Sequence, residues 1–450
     1  MISRALQSLS GVKTLHLILA MTALKALLFF VALPIFQEQF STMYGIEFAD
    51  NYQLLGENLA EGNGYKFTYD TAPTLMREAG YPLTLAALFS VFGFSLNIAR
   101  AANLLFAAAS AMFVARIAEK ASGSAVGSKI AALLFMVHPG VVVAEMRGGV
   151  ESLFIMLLMC FFIATYRALE SRKLSDYFLA GLVLGIAANV RGTALLFPSF
   201  LVLYFFFWER PRPSLVLVVT RVTIMVVGSV IALTPWIVRN YELVGKFAPT
   251  ASVAGVSSHA GQYICKHLSF SNNLVDVDGD AALERAQMAR DQGYKFKEIT
   301  ALYYLYFFDV HDEVEFNSYM GKQVRDNYLA SPSLLFGCAA KNAFNFWFAG
   351  KNWTSTAMNA VVQLPYIILG FAGLIIGLRG HRRAHVGLLG LFILYTLGIY
   401  LPILAQARYS VALMPVMSVL AAVAIMRWAR LRDDQPLEEA GGQEAPRALT

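Results

Sequence analysis

The chain has 450 residues, 57% of them hydrophobic and only 15% charged, with a mean hydropathy of +0.55. Soluble domains carry roughly 25% charged residues, so this composition excludes an ordinary water-soluble globule and makes lipid the main solvent. The net charge of +6 does not indicate nucleic acid, because the Lys and Arg residues fall in short clusters between apolar runs.

A membrane-crossing helix needs about 20 mostly apolar residues. Such segments lie near 14–35, 99–118, 127–144, 150–168, 176–190, 193–208, 214–237, 358–378, 386–404 and 409–427, with 176–190 and 193–208 the short pair. The first run is membrane-long and lacks an A-x-A-like cleavage site, so it reads as a retained span rather than a signal peptide. Lys25 falls in the middle of it, either as a functional group or paired inside the bundle. Between the first two spans, the stretch 81–93 (YPLTLAALFSVFG) is apolar but only 13 residues long, which suits an interfacial or re-entrant helix.

Charge placement agrees with a non-crossing 81–93. With Arg4 and Lys13 inside, the inner loops then hold Lys120 and Lys129, then Arg167, Arg172 and Lys173, then Arg210 and Arg212. Arg379, Arg382 and Arg383 follow, and Arg427, Arg430 and Arg432 close the series. Every basic cluster falls on one side, as the positive-inside rule requires. A crossing 81–93 would send the clusters that precede the long polar region outward. The expectation is an all-α polytopic membrane protein of about ten transmembrane helices, with interfacial helices, a large outer loop region and both termini inside.

Four regions follow. Residues 1–237 form an N-terminal transmembrane module with a first outer loop at 36–98, and 238–357 form a large outer region. Residues 358–432 supply the last spans, and 433–450 read as a disordered polar tail. Inside 238–357, the segments 281–300 and 312–329 read as helices, and 333–350 as an amphipathic helix on the membrane surface. Of the three cysteines, Cys160 lies inside a span, whereas Cys265 and Cys338 share the outer region, where one disulfide is allowed but not required.

The outer ends of the spans carry charge. Glu47, Asp50, Arg77 and Glu78 lie in the first outer loop, and Glu145, Arg147 and Glu151 around one outer turn. Arg191, Arg239 and Arg408 follow at successive outer ends. Any one of these arginines is explained by snorkelling or a local ion pair. Their gathering on the face with both large loops suits a phosphate-bearing substrate, because guanidinium forks bind phosphate bidentately and a carboxylate can take a proton from a hydroxyl. Other features carry less. Asp276, Asp278 and Asp280 lack EF-hand spacing, and Asn352-Trp353-Thr354 is a short formal glycosylation acceptor. The seven histidines show no metal-ligand spacing, and His259 and His267 read as ordinary surface residues of the outer region, with substrate contact the other reading. No Gly-rich phosphate loop is present, which argues against direct nucleotide use.

The first outer loop reads Ala49-Asp50-Asn51-Tyr52, then Leu59-Ala60-Glu61-Gly62-Asn63-Gly64-Tyr65, then Arg77-Glu78-Ala79-Gly80-Tyr81-Pro82-Leu83. His138-Pro139 precedes Glu151-Ser152-Leu153-Phe154, and Gly181 to Arg191 reads GLVLGIAANVR. Thr234-Pro235-Trp236-Ile237-Val238-Arg239-Asn240-Tyr241 and Arg408-Tyr409 through Pro415 complete the series. In this order the motifs resemble the GT-C membrane glycosyltransferases, specifically bacterial relatives of protein O-mannosyltransferases and of lipid A aminoarabinose transferase. Ala79 and Val150 depart from that pattern, where Pro and Thr are usual, and the long outer region is poorly covered.

The resemblance implies an inverting glycosyltransferase in a bacterial inner membrane, with its active site facing outside. Its donor is a polyprenyl-phosphate-linked sugar, and its acceptor a glycan, lipid or protein. The family's base carries over to Asp50, and its phosphate-holding arginines to Arg239, Arg408 and Arg191. Arg77, Glu78, Glu151 and Tyr409 fall on motif positions counted with substrate binding. Some branches use a divalent cation; the outer carboxylates here are too little clustered to assign one. Two other classes stay open. A lipid or glycan transporter should show paired broken helices and repeated halves, neither of which is seen. A non-catalytic protein of the same fold that binds lipid phosphate would keep the arginines; Asp50 speaks for catalysis.

Overall fold

The computed structural model describes residues 9–36, 51–269, 271–298 and 305–433. Asp50 and Glu47 lie outside them, as does the tail beyond Asp433. The described chain is helical apart from one two-stranded sheet.

The membrane part begins with α1 (Thr14–Ile35). Two short helices follow, α2 (Tyr52–Ala60) and α3 (Gly80–Phe92), then the long α4 (Leu96–Ser122). Next come α5 (Ala125–Val137), α6 (Pro139–Met146), α7 (Glu151–Ser171), α8 (Leu174–Val190), α9 (Phe197–Phe207) and α10 (Leu215–Val244). The outer region holds α11 (Ala254–His267), α12 (Leu274–Asp291), β1 (Phe296–Glu298), β2 (Leu305–Phe307), α13 (Val310–Ala330) and α14 (Pro332–Phe348). The chain then runs through α15 (Trp353–Leu378), α16 (Arg383–Tyr400) and α17 (Met414–Asp433), the last entered by a tight 3-10 turn over Ala407–Leu413.

All ten expected spans are helical. Among the described residues seven are long and apolar enough to cross a membrane alone, and α5 with α6 makes an eighth, bent by 53°. The bend has a local cause. Pro139 has no N–H for the preceding turn, and it pushes His138 out of the helical region, to ψ 118. The remaining two, α8 and the Gly192–Phe207 segment, are the short apolar pair expected from the sequence. Helix α3 has 13 residues, which rise about 20 Å, less than the roughly 30 Å hydrocarbon layer.

Small residues set the helix contacts. A Cβ on Gly185 would run into the backbone of Ser229, and the Ser229 hydroxyl donates to Gly181 O at 2.9 Å, so α8 and α10 pack backbone to backbone. The main core is apolar and aromatic, with Phe161, Phe162, Phe197 and Phe392 packed edge to face. Lys25 meets Glu145 in a fully buried bidentate pair at 2.8 and 2.9 Å.

The two ends of the bundle differ. At one end Lys120 pairs with Glu170, Arg382 donates to Lys120 O, and Lys129 donates to Leu9 O and Ser10 O. Most of the basic clusters counted in the sequence gather there. The opposite end carries the first loop and the outer region.

The outer region departs from the sequence reading at one place. A single helix over 281–300 is expected, but α12 stops at Asp291. Gly293, at φ +78, turns the chain, and Phe296–Glu298 then pairs antiparallel with Leu305–Phe307. Tyr306 stacks on Phe67 of the first loop at 4.2 Å, and these rings belong to one aromatic cluster with Tyr65, Phe307 and Phe316. Cys265 and Cys338 are joined in a disulfide that ties α11 to α14.

Candidate active site

The site grows from the turn between α6 and α7. Gly148 takes a positive φ of +60, which a side chain would resist, and a Cβ on Gly149 would collide with the Glu151 carboxylate. Three side chains hold the turn's carbonyls. Arg100 Nε donates to Met146 O at 2.7 Å, the Tyr81 hydroxyl to Gly148 O at 2.6 Å, and Asn103 Nδ2 to Gly149 O at 2.9 Å. Glu151 thereby sits at the start of α7, where the helix dipole favours a carboxylate.

Arg191 ends α8 with an extended backbone, φ −151, so its side chain leaves the helix toward Glu151. The closest approach is 3.8 Å, an ion pair too long for a hydrogen bond. The guanidinium also lies 5.9 Å from the Phe154 ring and 5.3 Å from the Tyr409 ring. Its Nη1 is buried and makes no hydrogen bond among the described residues. The hydroxyls of Tyr400, Tyr409 and Tyr52 stand within electrostatic reach.

Three further expected residues close on this pair. Arg408 lies 5.0 Å over Tyr409 and its Nη2 donates to the Tyr409 hydroxyl, while Tyr409 stacks on Tyr400 at 4.9 Å. Arg77 lies 5.4 Å over Tyr52, which meets Tyr81 edge to face at 5.7 Å. Arg77, Glu151, Arg191, Arg408 and Tyr409 therefore surround one small region, drawn from four separate stretches of chain.

Glu78 and Arg239 are placed differently. Glu78 accepts from the Gly192 N–H at 2.9 Å, which fastens the first loop to the turn after Arg191. Arg239 donates to Thr74 O at 3.0 Å and to Asn240 Oδ1 at 2.9 Å, with its guanidinium 4.5 Å over Trp236 and 5.1 Å over Tyr65. Tyr65 donates to Arg77 O and Glu78 O, so it stands between Arg239 and the Arg77 backbone. Arg239 grips the first loop from the other side.

Asp50 lies outside the described residues, but its neighbour is informative. Asn51 is buried in the left-handed region at φ 59 and donates to the Tyr306 hydroxyl at 2.5 Å. Asn tolerates that region better than most residues, at some cost in strain. Farther along the loop, Glu313 of α13 accepts from the Thr74 hydroxyl and the Leu75 N–H, each at 2.7 Å. Burial pushes its carboxyl up to about 7, against the lowering effect of those two donors and of Arg239.

Sequence reasoning passed over Tyr52, Tyr81, Arg100, Asn103, Tyr306, Glu313 and Tyr400. Tyr52 and Tyr81 stand inside the motifs of the first loop, and Arg100 and Asn103 left a signal of their own, polar residues three apart at the start of an otherwise apolar span. Among the described residues no three His, Cys, Asp or Glu side chains group as a metal site, and no divalent cation is assigned.

Residues 80–238 match the family model described as Dolichyl-phosphate-mannose-protein mannosyltransferase, in agreement with the resemblance read from the motifs. The matched stretch includes Glu151 and Arg191 and excludes Asp50, Arg77, Glu78, Arg239, Arg408 and Tyr409. No curated protein matches the chain. Among solved structures, the oligosaccharyltransferase of Archaeoglobus fulgidus tethered to an acceptor peptide is similar at TM-score 0.49 and 14% identity, over 87% of this chain and 46% of that one. AglB of the same organism, with an inhibitory peptide and a dolichol-phosphate, is similar at TM-score 0.46 and 12% identity, over 88% and 48%. ArnT of Cupriavidus metallidurans bound to undecaprenyl phosphate is similar at TM-score 0.36 and 14% identity, over 85% and 74%. The chain spans about half the length of the two archaeal proteins.

Proposed function

We propose that this integral membrane protein is an inverting glycosyltransferase that moves a sugar from a polyprenyl-phosphate donor to an acceptor hydroxyl at the outer membrane face. The observation that carries the reading is the Arg191–Glu151 pair. Its side chains are 13% and 8% exposed and approach to 3.8 Å, and the buried Nη1 is left without a hydrogen bond among the described residues. A buried guanidinium with spare donors is costly unless something uses them. A phosphate oxygen supplies the missing acceptor; Arg408 shares the Tyr409 ring with Arg191, and Arg77 lies over Tyr52, which is within electrostatic reach of Arg191.

The chemistry follows. The donor's lipid chain stays in the bilayer, so the reacting carbon must come to the end of the bundle where the first loop lies. Asp50 takes the proton from the acceptor hydroxyl, and the oxygen attacks the anomeric carbon. The bond from that carbon to the phosphate oxygen breaks as the new one forms, and polyprenyl phosphate leaves. Charge builds on the leaving phosphate in the transition state, where fixed guanidiniums are worth most. The strained Asn51 and its Tyr306 partner hold the backbone beside Asp50. The Cys265–Cys338 disulfide supports an oxidising compartment for the outer region.

The deciding measurement uses membranes and a radiolabelled polyprenyl-phosphate sugar. Asp50→Asn is expected to lower transfer by at least about 100-fold, as for loss of a general base, while donor binding persists. Near-normal transfer by that variant would refute the assignment.

A further inference from the structure

A cavity lies in the outer region, away from the arginines. It is a half-open hollow of about 350 Å³ between α11, α12 and α13, at the small end of ligand pockets. The gap between packed helices is normally filled by apolar side chains. Here the facing positions are polar. On α11, His259, Gln262, Tyr263 and Lys266 recur at helical spacing, and on α13 Gln323 and Asn327 do the same.

The walls are already organised. Gln262 is 3% exposed, accepts from Asn327 Nδ2 at 2.7 Å, and is approached by the Lys266 ammonium at 3.4 Å. Gln323 donates to the Tyr319 hydroxyl at 2.8 Å. Tyr263 stacks on His267 at 4.2 Å, which presents a flat apolar surface beside the amides. His259 is 8% exposed, and its Nδ1 has no hydrogen-bond partner among the described residues. Burial, with Arg285 and Lys266 nearby, pushes the imidazole down to about 4, so it is neutral at pH 7.

The chemistry of the lining selects the ligand class. Amide side chains donate and accept at once, which matches hydroxyls, and the tyrosine ring can cover the C–H face of a sugar. Lys266 is offset by Glu284 and Asp326, which line the same hollow from α12 and α13, so its lining carries no net positive charge for an anion. The cavity shares a helix with a residue that holds the first loop. Glu313, which holds the first loop, lies on the same helix as Gln323, about 15 Å away at ~1.5 Å per residue.

We propose that this cavity binds a neutral sugar ring of the acceptor, a reading that rests on the glycosyl transfer proposed above. The test uses the purified full-length protein in detergent and saturation-transfer NMR with glucose, galactose, mannose and N-acetylglucosamine, alongside glucuronate and glucosamine. At least one neutral sugar is expected to bind with Kd on the order of 1 mM. Tyr263→Ala removes the stacking face and Gln323→Trp fills the hollow; each is expected to weaken that binding at least about tenfold while thermal unfolding stays near wild type. Absence of binding by every neutral sugar, binding by the charged sugars alone, or unchanged binding in both variants would overturn the proposal. The readout needs no turnover, so it fails or succeeds separately from the Asp50→Asn measurement.

Discussion

Glu313 shows how one residue of the outer region reaches the site. Its carboxyl joins α13 to Thr74 and Leu75, just ahead of Arg77. Its folded-state pKa of about 7 lies above the ordinary 4.5. The protonated form is therefore favoured in the folded protein. The stability this contributes is complete below about pH 4.5 and is lost as pH rises through about 7. A gap of that size corresponds to about 3 kcal/mol. Glu313→Gln can still accept from the Leu75 N–H and can donate to Thr74. Thermal unfolding across that pH range should fall more steeply in wild type than in the Gln variant. Parallel curves would show that Glu313 does not titrate in this window.

At the scale of elements, close contact between helices depends on missing side chains. Lipid gives helices no hydrophobic reason to associate, so packing and hydrogen bonds between them must do it. Gly181 and Gly185 of α8 lie against the backbone of α10, and Gly228 of α10 lies against α8 in return. Gly185→Leu forces these helices apart and displaces Arg191, which ends α8. The expected cost is about 1–3 kcal/mol or more from overpacking, read as a lower unfolding temperature in detergent together with weaker donor binding. Ile186→Leu, at a half-exposed neighbouring position, should leave both unchanged. If Gly185→Leu binds donor like wild type, α8 does not set the position of Arg191.

Across the whole molecule, two cores meet at the site. The large core holds the bundle, and the aromatic cluster around Tyr65, Phe67 and Tyr306 holds the first loop under the outer region. The disulfide closes 73 residues of that outer region, and loop-closure entropy for such a length is worth about 4 kcal/mol. Cys265→Ser with Cys338→Ser should raise hydrogen exchange in α11 through α14 first and leave the spans protected. Simultaneous loss of protection in both would mean that bundle and outer region unfold as one unit.

The sequence by itself determined that this is a helical membrane protein, where its apolar segments run, that 81–93 is too short to cross, and which ends carry the basic clusters. These properties are local. In lipid every backbone polar group must be paired within its own segment, so an apolar run of sufficient length has almost no choice but helix. The motifs also marked Arg77, Glu151, Arg191, Arg408 and Tyr409 before any geometry was known. Only the tertiary structure decided how they meet. It paired Lys25 with Glu145, set Arg239 over Tyr65 and Trp236, turned 296–298 into a strand, and set Tyr81, Arg100 and Asn103 under the Glu151 turn. Those outcomes depend on contacts between residues far apart in the chain, whose distances follow from the packing of whole helices and leave no trace in the spacing of any one segment.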